Sequence, residues 1–477
     1  LKRYNSLEEV RQDIDTGVVT CRDLVNYYLQ NIERKKHLNA YLEVFTEEAL
    51  QRADEVDQKI AAGTAGRLAG MVIGIKDVLA YKDHSLQSSS KILEGFKSLY
   101  TATAVQRLLD EDVIIIGRQN CDEFAMGASN ETSAYGPALN EIDNSLVPGG
   151  SSGGSAVAVQ ADLCLASIGS DTGGSVRQPA AFCDVVGFKP TYSRISRYGL
   201  IAYASSFDQI GTLTRSIEDA ALLLEVMAGA DEFDSTASQR PVAPYSQQLQ
   251  TDKKFRIGYI RDTLESEGLD PEIRETMLGV IDRLKAEEHT VEAVDFPYLD
   301  FIVPSYYILT TAEASSNLSR YDGVKYGYRS PDATDLGSMY KKTRTQGFGH
   351  EVKKRIMLGT FVLSADYYDA YYTKAQRVRR LIKEKTEELL REYDFLILPT
   401  TPTTAFPLGG NDAEPLAIYL ADIFTVQASL AGVPAISVPV GYDAKGLPIG
   451  LQVLTRSFEE AQLFAFSKVV NEKIILA

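Results

Sequence analysis

No tryptophan occurs in this 477-residue chain, histidine and cysteine appear only four times each, and basic residues are outnumbered 49 to 65. The cysteines (Cys21, Cys121, Cys164, Cys183) are scattered and form no C-x-x-C pair, which argues against a disulfide framework and for structural thiols in a reducing compartment. So few histidines leave little for a histidine-dependent hydrolase. A net charge of −16 argues against broad binding of a phosphate backbone by this chain alone, and leaves any nucleic acid to a partner subunit. The longest apolar runs, such as Val113-Ile114-Ile115-Ile116, fall far short of a membrane span. The opening residues Leu1-Lys2-Arg3-Tyr4-Asn5 lead into polar helical sequence rather than a signal peptide, so a cytoplasmic location is expected. Internal repeats and low-complexity tracts are also missing.

What is present is the material for a large core, enough for one big α/β domain or two, with 44% apolar and 24% charged residues. Residues 6–62 read as helices: Ser6 followed by Glu8 and Glu9 marks a helix start, and Leu24, Tyr27, Tyr28 and Ile32 recur at helical spacing. Residues 68–75 read as a short buried strand that delivers Lys76 to its end, and 113–117 and 163–169 as two more. Helical periodicity covers 102–110. A β-α-β unit is expected over 255–294, a Tyr-, Ser- and Gly-rich cap over 300–355, and a helix over 365–391. Strands follow at 395–398, 435–439 and 449–453. This alternation predicts an α/β fold with a mixed, mostly parallel central sheet covered by helices on both faces.

The chemistry concentrates in two glycine-serine clusters, Gly149-Gly150-Ser151-Ser152-Gly153-Gly154-Ser155 and Asp171-Thr172-Gly173-Gly174-Ser175, with Lys76 upstream in Gly74-Ile75-Lys76-Asp77. Glycine at this density lets the backbone approach a reacting group and aim several amides at one point. Ser175, at a glycine turn after a buried strand, is a candidate nucleophile, and the amides of Thr172, Gly173, Gly174 and Ser175 are candidate oxyanion donors. A lysine acts as a base only when neutral, so Lys76 must be buried among hydroxyls, with Ser151 relaying the proton. A histidine-dependent rival exists: G-x-S-x-G is matched around Ser152, but only His289 and His350 lie downstream, and His289 reads as solvent-facing in Glu287-Glu288-His289. Cys121 lies near the clusters without a flanking histidine and carries little weight as a nucleophile. Neither phosphate-binding glycine motif occurs in the clusters, which disfavours a nucleotide-binding module.

Residues 148–155, 169–180 and 186–191 together resemble the amidase signature family, and the likeness extends over essentially the whole chain. It implies a single large amidase-signature domain over 63–477, a helical segment 1–62 packed on it, and 230–395 as a cap on the substrate side. It also implies Lys76 as base, Ser151 as relay serine after a cis peptide, and Ser175 as nucleophile. The 24-residue spacing of the two serines agrees with the family pattern. Asp184 and Ser193 stand where the family often carries glycine, which leaves the local loop geometry open. Within the family, residues 90–96, 123–131, 196–206 and 320–327 resemble the glutaminase subunits of tRNA-dependent amidotransferases. That branch implies hydrolysis of glutamine, with the ammonia passed to partner B and C subunits that convert Glu-tRNA(Gln) to Gln-tRNA(Gln). ATP and Mg are then used by the partner subunit, with no cofactor or metal bound by this chain. The branch places Tyr306, Arg355 and Asp422 on the substrate, with Ser129 near the oxyanion. Physics agrees with that mapping, since free glutamine needs a fixed cation for its α-carboxylate and a fixed anion for its α-ammonium. The alternatives are a stand-alone amidase on other carboxamides and a non-catalytic scaffold or nucleotide-binding subunit.

Overall fold

The computed structural model describes residues 1–410 and 422–475. Its strands are β1 (Tyr41–Val44), β2 (Val72–Lys76), β3 (Ile114–Gln119), β4 (Ala166–Asp171), β5 (Val186–Lys189), β6 (Gln209–Thr214), β7 (Arg256–Ile260), β8 (Thr290–Val294), β9 (Phe395–Pro399), β10 (Ala435–Tyr442) and β11 (Pro448–Leu454). Among the described residues they form one eleven-stranded sheet in the order β1-β3-β2-β4-β6-β5-β10-β11-β9-β7-β8. The α/β class and the mixed sheet are as expected. Parallel pairing occupies two blocks, β3-β2-β4 and β9-β7-β8, while the strands joining them alternate in direction. Apolar runs report burial, not strand direction, so this division was not readable from composition.

Strands β2, β3 and β4 are buried along their whole length, which is why they read as near-continuous apolar runs. Behind them lies the helix Gly153–Gln160, buried on every side. Only small residues permit this: a Cβ on Gly154 would lie 2.5 Å from the Asn120 carbonyl oxygen and 2.7 Å from that of Ala40. The N-terminal helix Leu7–Asp15 is capped by Ser6, whose Oγ accepts from the Glu9 amide, and its Leu7 amide donates to buried Asp219. Ser216 caps the helix Ile217–Met227 in the same way.

Two readings need correction. Residues 6–62 are not all helical, because β1 pairs antiparallel with β3 as an edge strand. Four residues are too few to show a period, and tertiary pairing decides them. The stretch 300–355, for which composition gave no secondary structure, contains the helices Leu299–Asn317 and Leu336–Gly347 and the start of His350–Val362. Pro304 and the Tyr/Ser composition hide the first of these. His289 is buried rather than solvent-facing; its Nδ1 accepts the Phe255 amide at 3.1 Å and its ring packs on Phe255 and Phe466. Asp184 and Ser193 both hold the left-handed conformation (φ 56° and 78°) that glycine adopts at least cost. Among the described residues no helix is long and apolar enough to cross a membrane.

Candidate active site

Adjacent parallel strands end side by side, so β2 and β4 bring Lys76 and Asp171 to the same edge of the sheet. The Gly150–Ser151 peptide is cis, as the resemblance implied, and leads into the helix Gly153–Gln160 at that edge. Lys76 is completely buried, and its Nζ lies 2.7 Å from Ser151 Oγ, 2.9 Å from Ser152 Oγ and 3.0 Å from Ser170 Oγ. Ser152 Oγ donates its own proton to the Ser170 carbonyl at 3.1 Å, so it can only accept from the amine. A neutral amine has two N–H donors and one lone pair. Donation to Ser152 and Ser170 leaves the lone pair for the Ser151 hydroxyl. Burial pushes the Lys76 pKa down to about 8, against the pull of Cys121, Asp122, Asp171 and Asp208.

Ser175 follows β4 in a turn organised by a buried ion pair. Asp171 accepts from Arg177 Nη2 at 2.8 Å and Nε at 3.0 Å. Burial alone would raise the Asp171 carboxyl, but the Arg177 guanidinium outweighs it and holds the pKa below the usual value. Arg177 in turn donates to the Thr425 carbonyl at 2.7 Å and to Ser429 Oγ at 3.1 Å. The Ser175 carbonyl accepts the Ser152 amide at 3.0 Å, which ties the two clusters together. One expected oxyanion donor is corrected: the Gly174 amide already donates to Asp171 Oδ1 at 3.0 Å. The amides of Thr172, Gly173 and Ser175 have no acceptor among the described residues. Thr172 Oγ1 donates to Asp208 at 2.7 Å, which fixes the start of the turn.

Of the four residues expected on the substrate side, Tyr306 packs on this turn, Asp422 is linked to it through Thr425, Arg355 lies within electrostatic reach of both, and Ser129 adjoins Gly150 in the other cluster. The Tyr306 ring is packed so closely on Gly173 that a Cβ there would sit 2.5 Å from its hydroxyl. Arg355 is buried; its Nη1 donates to Tyr203 Oη at 2.8 Å and its Nε to Glu351 at 2.8 Å. Asp422 precedes the helix Val426–Ala431, and Thr425 Oγ1 beside it donates to the Gly173 carbonyl at 2.6 Å. Burial pushes the Asp422 carboxyl up to about 8 although Arg355 pulls it down. Ser129 is buried with its amide beside Gly150, where an added Cβ would lie 2.7 Å from it.

Sequence reasoning missed Ser170 and Tyr203, and weighed Ser152 only as a rival nucleophile. It also missed Gln178, whose Oε1 accepts the Gly150 amide at 2.8 Å. A one-residue step from each recognised serine would have flagged Ser152; Tyr203 lies in the 196–206 stretch already noted, but nothing there singled it out. Among the described residues no group of three or more His, Cys, Asp or Glu side chains could hold a metal ion.

Fold and family together define an amidohydrolase: the chain belongs to the amidase family, whose model, Amidase, matches residues 23–464. Its relatives are more specific. The chain is 52% identical to the A subunit of glutamyl-tRNA(Gln) amidotransferase from Chlorobium luteolum, covering 98% of this chain and 96% of that protein. It is 48% identical to the protein of the same name from Chlorobium phaeobacteroides, over 99% of this chain and all of that one. The crystal structure of the corresponding glutamyl-tRNA(Gln) amidotransferase A subunit from Thermotoga maritima superposes with a TM-score of 0.77 at 37% identity, covering 94% of this chain and 90% of that one. Peptide amidase from Stenotrophomonas maltophilia superposes with a TM-score of 0.81 at 27% identity, covering 98% and 96%.

Proposed function

We propose that this chain is the glutamine-hydrolysing component of a tRNA-dependent amidotransferase. One observation carries the reading: a buried amine is bonded to Ser151, and the buried carboxyl of Asp422 lies within electrostatic reach of both the buried cation Arg355 and Asp171 of the Ser175 turn. A general amidase needs the first element; only a substrate with an α-carboxylate and an α-ammonium needs the second. The near-full-length identity to amidotransferase subunits supports it.

In this mechanism glutamine places its carboxylate on Arg355 and its ammonium on Asp422, with Tyr306 and Ser129 lining the path to its carboxamide. Neutral Lys76 accepts the Ser151 proton while Ser151 Oγ takes that of Ser175, and Ser175 Oγ attacks the carboxamide carbon. The amides of Thr172, Gly173 and Ser175 are the candidate donors to the oxyanion, each donor used contributing about 3 kcal/mol to lowering the barrier. The proton returns through Ser151 to the leaving nitrogen, releasing ammonia and leaving a glutamyl ester on Ser175. Water, deprotonated through the same relay, releases glutamate. The ammonia passes to partner B and C subunits, where ATP and Mg serve the conversion of Glu-tRNA(Gln) to Gln-tRNA(Gln) in the cytoplasm.

The test is glutamine-dependent conversion of Glu-tRNA(Gln) by the assembled complex. Wild-type chain should support it and Ser175→Ala should not, while free ammonium should restore product with the variant. Glutamine turnover without any amidated tRNA would instead favour a stand-alone amidase.

A further inference from the structure

The helix that carries Arg355 has no side-chain cap of its own. His350–Val362 begins after Gly349, whose amide is one of the donors left open at a helix start. That amide donates to the carboxylate of Glu123, at 2.8 Å to Oε2 and 3.1 Å to Oε1, across 226 residues of sequence. Glu123 is buried, and Ser90 Oγ supplies another donor. The approach is close enough that a Cβ on Gly349 would sit 2.3 Å from Oε2. A carboxylate at a helix amino end is also favoured by the helix dipole.

The neighbouring residue faces the other way, towards the nucleophile machinery. The Asp122 amide donates to the Ser151 carbonyl at 3.1 Å, and its carboxylate accepts the Asn130 amide at 2.9 Å and Thr132 Oγ1 at 2.8 Å. Thr132 Oγ1 also accepts the Glu123 amide at 3.1 Å, so one hydroxyl braces both residues of the dipeptide. Residues 122 and 123 therefore join the Ser151 loop to the amino end of the Arg355 helix. Arg355 lies six residues beyond Gly349, under two helical turns away.

We propose that Glu123 is a positioning residue for the substrate: its carboxylate clamps the Arg355 helix to the Ser151 loop and so sets the distance between the α-carboxylate site and the nucleophile. This rests on the glutaminase reading above. Substrates that do not use Arg355 should not feel the clamp, and this separates it from a general structural role.

The experiment measures glutamine hydrolysis by the full chain in its complex, alongside labelling of Ser175 by phenylmethanesulfonyl fluoride, a small electrophile with no α-carboxylate. Glu123→Ala should raise KM for glutamine about tenfold or more, the cost of one lost charge-assisted hydrogen bond. It should leave kcat within about threefold and the labelling rate within about twofold. Gly349→Ala, which displaces Oε2 from the other side, should show the same split. Glu123→Gln keeps an acceptor for the Gly349 amide and should hold KM within about threefold of wild type. If Glu123→Ala does not fold, Gly349→Ala decides the matter. An unchanged KM in the folded alanine variants, a parallel fall in kcat and labelling, or loss of folded protein in both overturns the proposal alone. A wild type whose Ser175 labels but which does not hydrolyse glutamine overturns the glutaminase reading and the clamp with it.

Discussion

Replacing or titrating Lys76 gives the sharpest quantitative consequence. Burial lowers its pKa from 10.5 to about 8. At pH 7 the neutral fraction is then ~10%, against ~0.03% for an ordinary lysine, a gain of about 300-fold in available base. The single-turnover rate of Ser175 acylation, followed by rapid quench with labelled glutamine, should therefore rise with unit slope in log rate below pH 8. It should level above that, with a total gain of about tenfold between pH 7 and pH 9. With glutamine saturating, so that bound substrate holds Asp422 ionised, Lys76→Ala should lower this rate by about 10³ and remove the unit slope. Lys76→Arg should be as inactive, because a guanidinium does not become neutral. A flat wild-type profile between pH 6 and 8, or the same slope surviving in Lys76→Ala, would refute the assignment of the base.

The other expectations concern binding and support. The Asp422 carboxyl, raised to about 8 by burial, is mostly protonated in the free site at pH 7 and must ionise to hold an ammonium. KM for glutamine should accordingly fall as pH rises from 6.5 to 8, and Asp422→Asn should raise KM about tenfold or more and abolish that dependence. Asp171→Asn strands the buried Arg177 guanidinium and should cost about 3–5 kcal/mol in urea unfolding, with activity lost alongside. His289→Ala should keep kcat within about twofold and only lower the melting temperature, because the ring supports Phe255 rather than any reacting group. A collapse of kcat in that variant would revive the histidine-dependent alternative.

Much of the site was legible because it is local in sequence. Ser151, Ser175 and the turn amides come in two short glycine-rich clusters, and Lys76 ends an apolar strand whose burial is plain from its composition. The strands flanking the site were readable for the same reason. What was hidden is non-local. Gly174 counts among the oxyanion donors until Asp171, held by Arg177, is seen to take its amide. Tyr203 supports Arg355 from 152 residues away, and its place in the 196–206 stretch did not announce that contact. The helices over 299–362 were masked by Pro304 and by polar faces that pack on the core only once the sheet is assembled. Edge strand β1 owes its state to β3 rather than to its own four residues.

Mass spectrometry of the enzyme quenched in acid during glutamine turnover bears most directly on the central assignment. A glutamyl ester should be found on Ser175, abundant in the wild type and missing when Lys76 is alanine. The same adduct on Ser152 or Cys121, or its undiminished presence without Lys76, would contradict it.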